Sequence, residues 1–386
     1  NCTSLTTVAN MPASITKIGN YAFSGCKSLK SITYGTGVTT IGDCAFQNSG
    51  LTGITFPKTL ESLGSNVFSG CAAVTQGEPQ TIKVGTTSYT LYKPVAISLP
   101  NTIKSIGNNA FRNIQISSLT LPNNQLTSIG NYAFNACFAS KDCAKAVTIP
   151  STVTSLGMYA FADNAYLQKV DFVGTTQVPA KIGSINNYAF KNSGLTRISL
   201  PASVKTLGSN AFENCVSLKT VEFAEDIKIT EIKSTTFKGC AALESITIPE
   251  GVKTIGANSF ENCTALEVVN LPSSVTYIGK AAFMKSGITE IVIPEGVRFL
   301  SKANKKTTST YDLSGEVLGL SSSKEKSRLD PAEGKINGSS SAQFAFCANL
   351  TKVTLSSKLE EIGAYAFFAT PNLTTITYTG YEGSSN

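Results

Sequence analysis

The sequence predicts a β-rich α/β solenoid, in which short units stack along one axis and share one core. The first observation is the motif Ile-Gly-x-x-Ala-Phe-x-x-Cys-x-x-Leu, which occurs at 18–29 and, with small changes, at 255–266 and 362–373. The second is the step between units, which is 23 residues from Phe23 to Phe46. A fixed period of this length is typical of stacked repeats rather than of independent globular domains.

The phenylalanine of the motif marks the units along the chain. Thirteen of the 20 phenylalanines occupy this position. They are Phe23, Phe46, Phe68, Phe111, Phe134, Phe161, Phe190, Phe212, Phe237, Phe260, Phe283, Phe344 and Phe367. Because the distinctive residues recur at fixed positions, we interpret them as structural and look for function at the positions that vary.

Each unit divides into three pieces, as the stretch 266–283 illustrates. Apolar and polar residues alternate in Leu-x-x-Val-x-Leu at 266–271, which is typical of a half-buried strand. Pro272 has no N–H for a ladder and ends that strand. A second short extended piece follows at 275–279, and the Ala-Phe pair at 282–283 is expected in a tight helical turn. Stacking should join the first strands into one continuous parallel sheet.

About fourteen strands of the Leu-x-x-Val-x-Leu type, one per repeat, can be counted. Residues 1–386 are therefore predicted to form a single solenoid. Their central residues are Val8, Ile32, Ile54, Ile97, Leu119, Val147, Val170, Ile198, Val221, Ile246, Val269, Ile291, Val353 and Ile376. Some units are one residue shorter, because Ser-Gly-Leu or Ser-Gly-Ile replaces Cys-x-x-Leu at 49–51, 193–195 and 286–288.

An insertion at about 76–95 interrupts the period. Two alternating segments flank the turn residues 85–88, which predicts a projecting β-hairpin. We include its Tyr89 and Tyr92 among the candidate binding residues. Smaller insertions fall around 139–145 and 174–181.

A longer insertion runs from about 301 to 342 and is rich in Lys, Ser, Thr and Gly. It is either a mobile, solvated loop or a binding loop, since long loops are often one or the other. In the second case its Lys305 and Lys306 are candidate binding residues.

Composition excludes several classes of function. The chain has no histidine, which removes Ser-His-Asp and Cys-His catalysis and the usual general base near neutral pH. Its net charge of +7 is not arranged as a basic stripe with interleaved aromatics, so we expect no nucleic-acid partner. No apolar run reaches the roughly 18 residues of a membrane span, so this segment should not insert into a membrane. We expect no catalytic residues and no cofactor.

Eight of the ten cysteines fall at the motif position. They are Cys2, Cys26, Cys71, Cys137, Cys215, Cys240, Cys263 and Cys347. No Cys-x-x-Cys pair occurs, so we expect no metal site and interpret these residues as small buried side chains. Five residues separate Cys137 from Cys143 in an insertion, and the two are either free or bridged, because only geometry decides this.

The exposed positions of the first strands are mostly Ser and Thr, but charge collects near the middle of the chain. Lys169, Asp171, Arg197 and Glu222 lie there, and neighbouring strands should place Lys169 or Asp171 beside Arg197. These residues form either ordinary cross-strand pairs or a polar binding site for a protein or glycan. We reject Asp171 and Glu222 as a glycosidase pair, because an open sheet face would not enclose them.

The full repeat resembles one known family. Leu-x-x-Ile-x-Leu followed by Pro-x-x-Val-x-x-Ile-Gly stands at 243–256 as Leu-Glu-Ser-Ile-Thr-Ile-Pro-Glu-Gly-Val-Lys-Thr-Ile-Gly. With the Ala-Phe and Cys positions, it is similar to the BspA-like (Treponema pallidum type) leucine-rich repeats over nearly all of the chain. The resemblance implies a curved array with its parallel sheet on the concave face. It also implies a secreted or surface protein linked to adhesion, and it brings no catalytic motif.

We therefore expect a non-catalytic binding or adhesion module at the cell surface or outside the cell. Its partner would be a host matrix or surface protein or another cell, and a glycan is possible. The alternative is a structural spacer that displays other domains. The chain opens within a repeat at 1–5, so we expect a trimmed or excised piece whose signal peptide and anchor lie elsewhere.

Overall fold

The computed structural model describes residues 2–71, 80–91, 94–174, 179–300, 329–330, 335–336 and 341–379. The chain divides into two compact units, Asn1–Lys228 and Ile229–Asn386, which we call the N-unit and the C-unit. Across these described ranges the regular structure consists of strands and turns, without any helix.

The described residues of the N-unit contain eighteen strands, each two to five residues long. They are β1 (Thr7–Val8), β2 (Lys17–Ile18), β3 (Ser31–Ile32), β4 (Thr40–Ile41), β5 (Ser62–Leu63), β6 (Gln80–Val84), β7 (Thr87–Leu91), β8 (Val95–Ser98), β9 (Ser105–Ile106), β10 (Ile116–Thr120), β11 (Ser128–Ile129), β12 (Ala146–Ile149), β13 (Ser155–Leu156), β14 (Lys169–Phe172), β15 (Ser184–Ile185), β16 (Arg197–Leu200), β17 (Thr206–Leu207) and β18 (Thr220–Phe223).

The C-unit repeats the same alternation. Its strands are β19 (Glu231–Ile232), β20 (Ser245–Thr247), β21 (Thr254–Ile255), β22 (Val268–Asn270), β23 (Tyr277–Ile278), β24 (Glu290–Val292), β25 (Phe299–Leu300), β26 (Leu329–Asp330), β27 (Lys335–Ile336), β28 (Lys352–Leu355), β29 (Glu361–Ile362) and β30 (Thr375–Tyr378).

Two kinds of strand recur along the repeats, and both stack in parallel. We call the strands at the Leu-x-x-Ile-x-Leu positions front strands; they are β1, β3, β8, β10, β12, β14, β16, β18, β20, β22, β24, β28 and β30. The strands that precede the Gly of Ile-Gly are the second strands. Every predicted strand centre lies in a front strand except Ile54, around which no strand forms. The prediction of a parallel β-solenoid is therefore confirmed.

The front strands do not form one continuous sheet, contrary to the prediction. In the N-unit they pair as β1 with β3, β8 with β10, β12 with β14, and β16 with β18. In the C-unit, β20 pairs with β22, and β24, β28 and β30 form a separate sheet. The longest ladder instead joins eight second strands of the N-unit, from β2 to β17.

The three short units explain three of these interruptions. After 49–51 no front strand forms; after 193–195 and 286–288 the next front strand leaves the sheet of its predecessor. Each short unit turns on a glycine, and a Cβ on Gly50, Gly194 or Gly287 would collide with a backbone carbonyl oxygen of the preceding unit. Because the short unit lacks one residue, its turn lies in close contact with the backbone of the preceding repeat. We attribute the loss of strand pairing at these positions to that contact.

The turn that carries the phenylalanine is not helical, contrary to the prediction for the Ala-Phe pair. In the first such turn, Tyr21 and Gly25 have left-handed φ values of 59° and 69°. The N–H groups of Tyr21, Phe23 and Gly25 donate to carbonyl oxygens of the next unit at 2.8–2.9 Å. A helix would keep such bonds within its own segment. The chain instead forms consecutive tight turns that are bonded to the neighbouring unit.

A column of stacked phenylalanine rings runs through the core of the N-unit, and another runs through the core of the C-unit. From Phe23 to Phe212 in the N-unit, successive ring centroids lie 5.2–5.8 Å apart. From Phe237 to Phe367 in the C-unit the spacing is 5.3–5.5 Å. Offset stacking of this kind adds to the hydrophobic gain of burying the rings.

The motif cysteines lie beside this column, and all except Cys2 are buried with free thiols. Cys215 Sγ donates to the carbonyl oxygen of Phe190 at 3.1 Å, and Ser193 of the short unit lies 3.2 Å from the same sulfur. Burial raises the pKa of the Cys215 thiol to about 12. The thiols are therefore weak donors to the phenylalanine carbonyls as well as small apolar fillers, a role that the repeat pattern does not indicate.

The insertion before β8 forms the antiparallel hairpin of β6 and β7. Its tip does not project freely, because Val84 is buried with Ala136 and Ala139 of the N-unit turns. Apolar contact at the tip therefore holds the hairpin against the solenoid.

Candidate binding face

A charged patch lies on the front strands β14, β16 and β18, and consists of Lys169, Asp171, Arg197 and Glu222. Residues two apart in a strand point to the same face, and Lys169 Nζ lies 2.8 Å from Asp171 Oδ2. Both side chains are about half exposed, at 50% and 47%. So exposed an ion pair stabilises the fold by only about 0.5 kcal/mol, and both groups remain accessible to a partner.

Arg197 and Glu222 lie on the paired strands β16 and β18. The register sets Arg197 opposite Thr220 and Ser199 opposite Glu222, and the Ser199 hydroxyl donates to the Glu222 carboxylate. Arg197 is exposed and makes no ion pair with any residue of the described ranges. The structure therefore brings the four residues onto adjoining strands but does not pair Asp171 with Arg197.

The pairing differs from the expectation because the patch straddles an interruption of the front ladder. β14 belongs to the sheet of β12, and β16 to the sheet of β18. One rung remains at the start of the strands, where Thr196 N–H donates to the Gln168 carbonyl at 3.0 Å. The short unit at 193–195 thus separates Lys169 and Asp171 from Arg197 at the break.

The C-unit carries a groove at the equivalent break, after the short unit 286–288. It lies between β22 and β24, has a volume of about 410 Å³ and is open to solvent. Residues 267–271 and 289–292 line it. Two of them, Val268 and Val292, are unusually exposed for aliphatic side chains, at 48% and 58%. We call this feature the valine groove.

The valine groove was not predicted from the sequence, although its two valines are visible there. Val268 stands opposite Ser245, and Val292 stands opposite Thr354, so each replaces a small polar residue of the exposed face. An apolar residue at an exposed strand position is a weak hint by itself, because single surface aliphatics are common. Only the ladder break shows that the two valines border one depression.

The remaining candidate residues lie in the insertions. Tyr89 belongs to β7 of the hairpin. Tyr92, Lys305 and Lys306 lie outside the described residues.

Three stacked tyrosines form another conspicuous feature of the N-unit. Tyr132, Tyr159 and Tyr188 have centroid separations of 4.6 and 4.4 Å, and Arg112 and Lys191 lie over the two outer rings. Burial, then the neighbouring tyrosines, raises the pKa of Tyr159 to about 12. Because the two faces of the central ring are covered by its neighbours, the stack is better suited to joining units than to holding a planar ligand.

Both carboxylates of the charged patch lie on an exposed strand face. Asp171 pairs with Lys169, and the Glu222 carboxylate accepts a hydrogen bond from the Ser199 hydroxyl. Within the described ranges, no group of three or more His, Cys, Asp or Glu side chains could hold a metal ion. Those ranges also lack any helix with the length and apolar character needed to cross a membrane.

Structural comparison matches this chain to several solved leucine-rich repeat proteins. A leucine-rich repeat protein from Bacteroides ovatus is 22% identical, with a TM-score of 0.67 and coverage of 97% of this chain and 79% of its own. A leucine rich cell surface protein from Faecalibacterium prausnitzii is 23% identical, with a TM-score of 0.45 and coverage of 97% and 88%. The Treponema pallidum leucine rich repeat protein is 23% identical, with a TM-score of 0.33 and coverage of 56% and 78%.

Sequence comparison identifies the family directly. No curated protein matches this chain. The family described as BspA type Leucine rich repeat region matches residues 1–93, 83–179, 183–308 and 329–382. These matches span most of the sequence and include both units and the motif positions described above. The chain therefore belongs to the BspA-type leucine-rich repeat family.

Proposed function

We propose that this chain is a non-catalytic binding module of a secreted or cell-surface protein, and that it adheres to a protein partner through its front strands. The partner is a host matrix protein, a host surface protein or a protein of another cell. The observation that carries the proposal is the charged patch. It presents Lys169, Asp171, Arg197 and Glu222 together on a solvent-exposed face.

The architecture supports this function. The recurring Phe, Cys and Gly residues are used to stack the units, so the face positions are free to vary without loss of the core. Charged side chains that contribute little to stability, as Lys169 and Asp171 do, are suited to electrostatic recognition of a protein surface. An open face without an enclosed acid or base supports binding rather than turnover.

A binding screen tests the proposal. The whole chain is applied to immobilised matrix proteins and to a glycan array, and retained protein is measured at low and physiological salt. We expect saturable binding to at least one matrix protein, weakened by salt because exposed charges are screened. Binding to no protein of the panel would favour the spacer function, and binding to glycans alone would replace the protein partner.

A further inference from the structure

We propose that the valine groove binds an extended segment of a partner protein, in which an aliphatic side chain is flanked two residues away by Lys or Arg. The proposal rests on the proposed function and names the chemistry of one contact. It uses a different surface from the charged patch, and it is carried by the ladder break, the exposed valines and the acidic rim.

The groove is built into the C-unit by the short unit 286–288. Gly287 N–H donates to the Cys263 carbonyl at 3.1 Å, and a Cβ on Gly287 would collide with the Thr264 carbonyl. The hydrogen bond from Thr289 N–H to the Glu267 carbonyl is long, at 3.4 Å. The corresponding bond one repeat earlier, from Glu267 N–H to the Glu244 carbonyl, measures 3.0 Å. After this long hydrogen bond, β22 and β24 belong to different sheets. The turn at Gly287 therefore sets the opening between the two strands.

The valines give the groove an apolar surface that calls for a matching side chain. Val268 and Val292 stand at its two strands with about half of their area in water, while Val269 and Ile291 of its lining are buried at 7% and 3%. Covering an exposed valine removes apolar area from water and therefore favours binding. An aliphatic side chain from a partner would cover both valines at once, at the position where the ladder is open.

The rim of the groove is acidic. Glu267 is exposed and makes no ion pair with any residue in the described part of the chain. Glu290 has only a long contact with Lys352, at 3.7 Å, and both side chains are exposed. A carboxylate left unpaired beside an apolar surface favours a partner that supplies a cation together with an aliphatic group.

An extended peptide supplies both groups with the right spacing. Side chains at i and i+2 point to one face of a strand, so a Lys or Arg two residues from the aliphatic residue would face the same rim. Among the described residues, no aromatic side chain lines the groove, which disfavours a sugar ring, because sugars commonly pack against aromatic faces. The occupant is therefore a basic and aliphatic protein segment.

The test is selection of a displayed random dodecapeptide library on the whole chain, followed by affinity measurements with the enriched peptides. We expect enrichment of an aliphatic residue with Lys or Arg two positions away. Val292→Ser should weaken these peptides by about tenfold. Glu267→Gln should weaken them by about threefold and reduce their salt dependence.

Val216→Ser is the matched control, because Val216 has the same exposed fraction of 58% but lies on a turn of the N-unit. It should leave peptide affinity unchanged, and all three variants should unfold at the wild-type temperature. Peptides of another pattern, no enrichment, or equal binding by Val292→Ser would overturn the groove proposal. The screen against whole matrix proteins is a separate experiment. A negative peptide selection would therefore overturn the groove proposal without affecting the proposed matrix binding. A negative matrix screen would overturn the proposed function without affecting the peptide result.

Discussion

Replacing Phe161 with alanine is expected to lower the free energy of unfolding by about 4 kcal/mol. The ring is fully buried and stacks on Phe134 and Phe190, with centroids 5.2 and 5.8 Å away. Its removal loses hydrophobic transfer energy, leaves a cavity and interrupts the column in the middle of the N-unit. Urea unfolding followed by circular dichroism measures the effect.

The control for Phe161→Ala is Tyr21→Ala, which removes an aromatic ring that is 62% exposed. Tyr21 also has left-handed φ, at 59°, so alanine neither relieves nor adds much backbone strain there. We expect a change below about 1 kcal/mol for this variant. A loss at Phe161 as small as that at Tyr21 would contradict the view that the phenylalanine column carries the stability.

The second large effect is expected from Gly50→Ala. A Cβ at this position would collide with the Lys27 carbonyl oxygen, which belongs to the backbone of the preceding unit and cannot turn aside. We expect a loss of about 2–3 kcal/mol in the free energy of unfolding. The same urea titration measures it.

Gly53→Ala is the control in the same unit, three residues later. No atom lies within 4 Å of a Cβ there, so alanine should stabilise the fold by about 0.5 kcal/mol through the unfolded state. If Gly50→Ala were as harmless as Gly53→Ala, close contact at the short units would not explain the ladder breaks.

The repeat positions could be predicted from sequence because burial imposes a simple period on them. Phe161 and Cys215 belong to columns whose members recur once per unit, and their burial follows from that recurrence. The front strands follow from the alternation around residues such as Val170 and Ile246. Ile54 has the same alternation without a strand, because the short unit before it alters the approach of the backbone.

The turn conformation was not predicted, although the residues indicate it. Asparagine is enriched at the left-handed positions around the phenylalanine, where its short polar side chain is tolerated. It occupies them at Asn48, Asn66, Asn109, Asn113, Asn192, Asn210, Asn214, Asn258 and Asn262. A helix does not require left-handed residues, so asparagines at a spacing of four indicate consecutive tight turns rather than a helix.

The candidate sites were predicted only in part. The four residues of the charged patch could be placed on one face by counting repeats. Their pairing could not, because it depends on the break between β14 and β16. The valine groove depends on the same kind of break, which arises from backbone contacts at Gly287 that a sequence does not display.

The most direct test of the proposed binding face is the affinity of a triple variant, Asp171→Ala with Arg197→Ala and Glu222→Ala, for a matrix protein that binds the wild-type chain. The control replaces Glu61 and Lys104 with alanine; they form an exposed ion pair with an N–O distance of 2.8 Å, and each immediately precedes a second strand, β5 or β9. We predict at least about a tenfold loss for the triple variant and less than about a twofold change for the control. Equal affinities of the triple variant and the wild-type chain would contradict binding through the charged patch.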